Sequence, residues 1–208
     1  MKQSFTALAA PPPTSCYERG VKTLDKTTLR VLLRQVRRKL AAEAPDAAAR
    51  AAERLPLDRL PDFRTFSGYQ PTGSEMDPRP LMRRLSETGA AAALPVAESR
   101  DAPLSFRAWD PEQALEPDAF GIPAPPRGAR SVLPDLVIAP LLAFDRRGHR
   151  LGQGAGHYDR TLANLRAAQP VFVLGLAYSA QEVEELPAEP HDERLDAILT
   201  ETDYIEVG

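Results

Sequence analysis

The segment of the sequence with the clearest chemical character is a glycine loop, residues 152–156, which reads Gly-Gln-Gly-Ala-Gly. Alternating glycines let a backbone approach a ligand closely, and free N–H groups ahead of a helix form a concavity that suits phosphate oxygens. The pattern is not a dinucleotide fingerprint, because it does not directly follow a predicted strand, and it lacks the Gly-Lys-Ser/Thr end of a Walker loop. A tight strand-to-helix turn without a ligand explains an isolated loop of this kind equally well.

Asp159 lies just beyond the glycine loop, in the first turn of the next predicted helix. The helix dipole favours a carboxylate at this position, but the same carboxylate would face any phosphates bound to the loop. A magnesium ion between them would remove the repulsion, because Mg²⁺ typically binds one or two carboxylates together with substrate phosphates. An ordinary helix-start charge is the alternative interpretation of Asp159.

The first predicted helix has a basic face. Asp25 is a suitable N-cap, and the apolar residues that follow have helical spacing: Leu29, Leu32, Leu33, Val36 and Leu40. At about 100° per residue, the cations fall in one wedge beside that apolar stripe: Lys26, Arg30, Arg34 and Arg37. On geometry alone, such a row is best explained as a solvated helix edge.

The elements that must position these residues are typical of an α/β fold. Residues 136–139 and 171–176 are continuous apolar runs, as expected of strands covered on both faces of a parallel sheet. A helical pattern with Tyr158, Leu162 and Leu165 on one face lies between them. We therefore predict a single domain with a mostly parallel, Rossmann-like sheet and helices on both faces.

Weaker patterns fill in the remaining elements. Helices are predicted at residues 46–60, with an interruption at Pro56, and at residues 78–88. Strands are predicted at residues 63–69, 90–96, 104–109 and 197–200. The proline-rich stretch 111–130 is expected to have little regular structure, and the acidic residues 201–206 indicate only solubility.

Composition excludes several classes of function. The chain has 208 residues, a net charge of −3 and one cysteine, Cys16, so we expect no nucleic-acid partner and no disulfide framework. Since no apolar run approaches the ~20 residues that cross a bilayer, we expect no membrane partner and a cytoplasmic location. Residues 1–22 are expected to be a flexible extension, and residues 23–208 the α/β domain.

The chain resembles the 5-formyltetrahydrofolate cyclo-ligase family, also called methenyltetrahydrofolate synthetases. Residues 140–160 resemble the family signature Pro-x-x-Ala-Phe-Asp…Arg-x-Gly-x-Gly-x-Gly-Tyr-Tyr-Asp-Arg. Weaker similarities occur in the family's order along the chain: Lys26-x-x-x-Arg30, Glu75-Met76-Asp77, Phe120-Gly121-Ile122-Pro123 and Leu186-Pro187…His191-Asp192.

The resemblance implies a reaction and a set of site residues. The reaction is the ATP- and Mg²⁺-dependent cyclisation of 5-formyltetrahydrofolate to 5,10-methenyltetrahydrofolate, with release of ADP and phosphate and without a side-chain nucleophile; we expect a monomer. The implied ATP-binding residues are Lys26, Arg30, Arg150, Gly152, Gln153, Gly154, Ala155, Gly156, His157 and Tyr158. The implied folate-binding residues are Tyr69, Glu75, Gly154, Ala155, Gly156, His157 and Tyr158. The implied Mg²⁺ ligands are Asp159 and Asp192.

The sequence departs from the family pattern at three positions. His157 replaces the first of two tyrosines, Ala155 stands where glycine or lysine is common, and Ala124 replaces a frequent acidic residue. Ala155 restricts the loop only if that position requires a positive φ. Two alternative functions follow: an ATP-dependent enzyme for another formylated substrate, with a pocket rebuilt around His157 and Trp109, or a non-catalytic folate or nucleotide binder.

Overall fold

The structure is a computed structural model that describes residues 25–208, so the predicted extension and Cys16 lie outside the described residues. The helices are α1 (Lys26–Glu43), α2 (Ala47–Arg54), α3 (Arg79–Ser86) and α4 (His157–Ala168), with 3₁₀ turns at Leu57–Arg59 and Ser179–Gln181. The longer strands are β1 (Thr65–Ser67), β2 (Ala91–Val96), β3 (Ser105–Ala108), β6 (Leu136–Pro140), β9 (Phe172–Leu176), β10 (Ala197–Leu199) and β11 (Tyr204–Glu206). The short strands are β4 (Glu116–Pro117), β5 (Pro123–Ala124), β7 (Ala143–Phe144) and β8 (Arg150–Leu151). Over this part of the chain, every helix is too short or too polar to cross a membrane.

The main sheet has seven strands in the order β11-β10-β9-β6-β1-β2-β3. The five inner strands pair in parallel, whereas β11 and β3 pair antiparallel at the two edges. Parallel strands need crossover connections, and α3 supplies the one between β1 and β2 while α4 supplies the one between β6 and β9. This topology confirms the predicted α/β class and the mostly parallel sheet.

Helices cover both faces of the sheet, as predicted. On one face, α2 and α3 pack against alternate strand residues, among them Phe66 and Ile138. On the other face, Leu162 of α4 packs against Val137 and Val173. Because neighbouring residues of β6 point into opposite layers, residues 136–139 are all buried, which explains their unbroken apolar sequence.

Helix α1 differs from its prediction. Asp25 caps the helix as expected, with its carboxylate accepting from Thr27 N and Thr28 N. The apolar stripe is only partly buried, however, because Leu32 is 43% exposed while Arg37 is 4% exposed. The reason is that different parts of α1 meet different partners: Leu29 packs against residues of β7, β8 and the later loop, whereas Arg37 donates to the buried carbonyl of Leu141. Arg37 therefore does not share a solvated face with Lys26.

Residues 111–130 have little regular structure, as predicted, since only the two-residue strands β4 and β5 pair there. Two local predictions were wrong. Residues 204–206 of the acidic C-terminal segment form edge strand β11. The glycine loop does follow a strand directly, because β8 pairs with β7 in a hairpin that leads into Gly152. Strands of two or three residues are too short to show a period of two, so hydrophobic alternation could not identify them.

Candidate active site

The glycine loop connects β8 to the start of α4. Gly154 and Gly156 have φ angles of 105° and 68°, and Gly156 is the N-cap residue of α4. No non-glycine residue between 25 and 208 has a positive φ, so Ala155 adopts an ordinary backbone conformation. The alanine therefore fits the loop without strain.

Arginines of α1 hold the loop by its carbonyl groups. Arg30 Nε donates to Gly152 O at 3.0 Å. Arg34 donates from NH2 to Gln153 O at 3.1 Å and from Nε to Gln153 Oε1 at 2.9 Å. These contacts show that the basic face of α1 is not a plain solvated edge, since it braces the loop.

The backbone N–H groups of the glycine loop point away from α1. A trans peptide directs its C=O and N–H in opposite directions, and residues 25–208 contain no cis peptide. The N–H groups of Gln153 and Gly154 therefore face away from the carbonyl contacts with α1. Within the described chain, the backbone N–H groups of residues 153–156 donate to no protein acceptor. Together with the α4 N-terminus, they form a cradle suited to an anion.

Lys26 and Asp192 form an ion pair beside the loop. Lys26 Nζ lies 2.8 Å from Asp192 Oδ2 and 3.0 Å from Glu189 Oε2. Burial raises the pKa of Asp192, but hydrogen bonds from Lys26 and from the Glu189 N–H outweigh it, and the net pKa is lowered. Asp192 is therefore a carboxylate at neutral pH. Ligand atoms of Glu189, His191 and Asp192 lie within 4.8 Å of one another, a grouping that sequence analysis only partly identified.

Asp159 is fixed by Arg150 and by the chain next to Asp192. Its Oδ1 accepts from Arg150 NH2 at 2.7 Å and from Glu193 N at 3.2 Å. Because Glu193 follows Asp192, this second bond brings the predicted metal ligands into the same region. Arg150 is 3% exposed and its guanidinium lies 5.7 Å from the centre of the Tyr158 ring. Arg150 thus holds Asp159 and Tyr158 at the start of α4, directly after the loop.

Tyr69, Glu75 and Tyr158 form the second half of the site. Burial raises the pKa of both tyrosines, and the nearby Glu75 carboxylate adds to the rise. Both phenols therefore stay neutral and can donate hydrogen bonds. Tyr69 donates to Met76 O at 2.6 Å, which fixes the ring. The structure thus brings Tyr158 together with Tyr69 and Glu75, which precede it by more than 80 residues.

Arg37 was not predicted to belong to the site, yet it pairs with Glu75. Arg37 NH1 lies 3.5 Å from Glu75 Oε1, and the side chains are 4% and 6% exposed. Arg37 also donates to Leu141 O at 3.1 Å and to Ser74 Oγ at 3.3 Å. The spacing of Arg30, Arg34 and Arg37, at i, i+4 and i+7, was a sequence signal that all three face one partner surface.

His157 attaches the start of α4 to neighbouring loops. Its Nε2 lies 3.0 Å from Ser99 O, and its ring packs edge-on against Phe120 at 5.7 Å. Trp109 lies elsewhere, in a groove of about 530 Å³ whose lining includes Ala92 and not His157. The structure therefore does not bring His157 and Trp109 together as the first alternative function requires.

Comparisons with known proteins agree in sequence and in structure. Residues 22–201 match the 5-formyltetrahydrofolate cyclo-ligase family. The chain is 35% identical over 184 residues to the 5-formyltetrahydrofolate cyclo-ligase of Mycolicibacterium smegmatis, covering 85% of this chain and 93% of that protein. It is 36% identical over 181 residues to the Escherichia coli protein of the same name, covering 81% and 96%. The fold is similar to the NMR structure of Aquifex aeolicus 5,10-methenyltetrahydrofolate synthetase, with a TM-score of 0.71, 28% identity, and coverage of 88% and 92%.

Proposed function

The chain belongs to the 5-formyltetrahydrofolate cyclo-ligase family, and from this premise we propose that it converts 5-formyltetrahydrofolate and ATP to 5,10-methenyltetrahydrofolate, ADP and phosphate. The observation that carries the proposal is the row of N–H groups at residues 153–156, which have no protein acceptor among residues 25–208 and lie at the N-terminus of α4. Arg30 of α1 contacts the same loop, and Lys26 lies one turn earlier on α1. We assign the activity to a single domain over residues 23–208.

ATP binds across the glycine loop in this proposal. The N–H groups of the loop and of His157 and Tyr158 in the first turn of α4 contact phosphate oxygens, as helix N-termini do in other anion sites. Arg30 donates to the loop only through Nε, so its terminal nitrogens have no protein partner among residues 25–208 and can bind phosphate. Lys26 leaves Asp192 and pairs with the phosphates instead. Arg150, which is bonded to Asp159, adds positive charge beside the loop.

Asp159 and Asp192 are the proposed Mg²⁺ ligands. Both are carboxylates, the donor type that Mg²⁺ prefers, and both lie beside the loop that binds the phosphates. They fit the ion because Oδ2 of Asp159 has no protein partner among residues 25–208, and Oδ1 of Asp192 has only His191 at 3.9 Å. When bound, Mg²⁺ would neutralise part of the negative charge of the phosphates.

5-Formyltetrahydrofolate binds at the second half of the site. Glu75 accepts hydrogen bonds from the pterin, while Tyr69 and Tyr158 border the ring. The loop residues Gly154, Ala155 and Gly156, with His157, lie against the folate on one side and ATP on the other. Since the same loop contacts both substrates, it places the formyl oxygen in line with the γ-phosphate.

The chemistry requires positioning more than covalent catalysis. The formyl oxygen attacks the γ-phosphate and ADP leaves, N10 of the folate then bonds to the activated carbon and loses its proton, and inorganic phosphate leaves that carbon. Holding both reactants in register lowers the entropic part of the barrier, and the cationic cradle stabilises charge on the transferred group. No side-chain nucleophile is needed, consistent with a site composed of Lys, Arg, Asp, Glu and Tyr.

The direct test is an activity assay on the full chain with 5-formyltetrahydrofolate, ATP and Mg²⁺. We expect the near-ultraviolet absorbance of methenyltetrahydrofolate to appear together with stoichiometric ADP, and neither to appear when ATP is omitted or EDTA is added. Absence of product from folded wild-type protein contradicts the proposal. Binding of both substrates without turnover would identify a binder, and turnover of only a different formylated substrate would identify the other alternative.

A monomeric, cytoplasmic enzyme completes the proposal. Large exposed apolar side chains among the described residues are limited to Val31, Leu32, Phe120 and Leu133. This is less apolar surface than a permanent oligomer interface usually presents. Light scattering after size-exclusion chromatography measures the mass directly, and a dimer would contradict the monomer.

A further inference from the structure

The side chain of Gln153 connects the glycine loop to Glu75. Its Nε2 donates to Glu75 Oε1 at 3.3 Å, while its Oε1 accepts from Arg34 Nε at 2.9 Å. The backbone carbonyl of Gln153 accepts from the same guanidinium at 3.1 Å. Arg34 therefore holds Gln153 at two points and directs its amide towards Glu75.

Glu75 has little acceptor capacity left in this state. A carboxylate offers about four lone-pair positions, two on each oxygen. Arg37 and Gln153 both bond to Oε1, and Thr72 N bonds to Oε2 at 2.9 Å. Both lone-pair positions of Oε1 are therefore occupied, and Oε2 retains one free lone-pair position.

The substrate needs both oxygens. The 2-amino-4-oxo ring of a pterin carries two adjacent, parallel N–H donors, which match the two oxygens of one carboxylate as a guanidinium does. A bidentate contact therefore displaces one donor from Oε1. Arg37 is charged, 4% exposed and held by Leu141 O, whereas Gln153 is neutral and lies on an exposed loop. Gln153 is the donor that leaves.

We propose that Gln153 is a displaceable latch: without substrate, its amide holds the glycine loop to Glu75, and the pterin of 5-formyltetrahydrofolate must displace that amide in order to bind. This inference rests on the proposed contact between Glu75 and the pterin. Its consequence is that folate binding frees the Gln153 side chain, which is part of the ATP-binding loop. Gln153 and Arg34 are positioning residues in this scheme, and they tune how tightly folate binds.

The latch makes an unusual prediction for substrate affinity. Gln153→Leu keeps the approximate shape of the side chain and removes its amide, so the pterin no longer competes with it for Glu75. We expect calorimetric titration of the full chain with 5-formyltetrahydrofolate, without nucleotide, to show binding about fivefold tighter than wild type, the effect of losing one competing hydrogen bond. The KM for 5-formyltetrahydrofolate at saturating ATP falls as well, whereas a merely structural role would raise it.

A second variant and a matched control separate the latch from charge effects. Arg34→Ala removes the brace on Gln153 but also a positive charge that attracts the anionic substrate. Arg38→Ala removes the same charge from α1 at an exposed position with no hydrogen bond or ion pair among the described residues. We expect Arg34→Ala to bind 5-formyltetrahydrofolate more tightly than Arg38→Ala does.

The outcomes distinguish the latch from the function on which it depends. Wild-type protein that fails to bind 5-formyltetrahydrofolate overturns the proposed function. A Glu75→Gln variant that binds as wild type overturns the contact between Glu75 and the pterin. If wild type binds and Glu75→Gln weakens binding, then unchanged or weaker binding by Gln153→Leu overturns the latch alone.

Discussion

Nζ of Lys26 lies 2.8 Å from Oδ2 of Asp192, an ion pair between residues 166 positions apart in the chain. Each side chain is 19% exposed, so the pair is only partly screened by solvent. In the proposed function one partner binds phosphate and the other binds Mg²⁺. The two groups therefore neutralise each other in the free enzyme and exchange partners when Mg·ATP binds.

Substitution of Lys26 by alanine should weaken ATP binding. The variant removes one charged contact with phosphate and leaves Asp192 without its partner, so we expect the Kd for ATP to rise about tenfold or more. Equilibrium titration with a non-hydrolysable ATP analogue measures the change. Lys39→Ala is the matched control, because Lys39 is 74% exposed and its one ion pair within residues 25–208 is with Glu43 on α1. Equal affinities of the two variants for the analogue would rule out Lys26 as a phosphate ligand.

Substitution of Asp159 by asparagine should abolish most Mg²⁺-dependent turnover. Asparagine keeps a carbonyl oxygen for Arg150 and for Glu193 N, but it removes the negative charge that binds the ion. We expect the Mg²⁺ concentration for half-maximal rate to rise about tenfold or more, which a titration of rate against Mg²⁺ at fixed ATP measures. Asp62→Asn, at an exposed site, controls for lost charge. Wild-type Mg²⁺ dependence in Asp159→Asn would remove Asp159 from the metal site.

The sequence predicted the sheet and the loop better than it predicted the contacts around them. Buried strands such as β6 are continuous apolar runs, and the capped α1 has helical spacing, so both are evident from local pattern. The buried position of Arg37 was not evident from local pattern, because its acceptor Leu141 O and its partner Glu75 are 104 and 38 residues away in the chain. A helical pattern shows which residues share a face, but not whether solvent or protein covers it.

Gly154 should tolerate alanine poorly, whereas Ala155 should tolerate glycine. Gly154 has a φ of 105°, and a Cβ there would lie 3.2 Å from Cζ of Arg30. We expect Gly154→Ala to cost about 1–3 kcal/mol of local backbone strain, which would reposition the loop and weaken ATP binding. Because Ala155 has no positive φ, Ala155→Gly should change the ATP affinity by less than about threefold. Equal ATP affinities of the two variants would contradict the strained backbone at residue 154.

Asp145 should control both the stability of the β7–β8 hairpin and its response to acid. The side chain is fully buried and accepts N–H bonds from Arg147, His149 and Leu186, which tie the hairpin to the segment before Asp192. Burial raises the pKa of Asp145, but these bonds and the His149 ring outweigh it, so the net pKa lies below 3.8. A carboxyl whose pKa is lowered by folding contributes its full stabilisation when the pH is above its pKa in the unfolded chain, 3.8. That contribution is lost as the pH falls through the lower pKa of the folded protein.

Asp145→Asn tests this role, because asparagine has one oxygen that accepts hydrogen bonds and replaces the other carboxylate oxygen with an NH₂ group that only donates. At about pH 7 we expect a loss of about 1–3 kcal/mol in the free energy of unfolding, from one buried N–H left unpaired. The difference from wild type should shrink as the pH falls below 3.8, since protonated Asp145 also loses an acceptor. Urea denaturation at both pH values measures the two differences, with Asp62→Asn as the exposed control. A stability loss that stays constant across this range would show that the charge of Asp145 does not stabilise the hairpin.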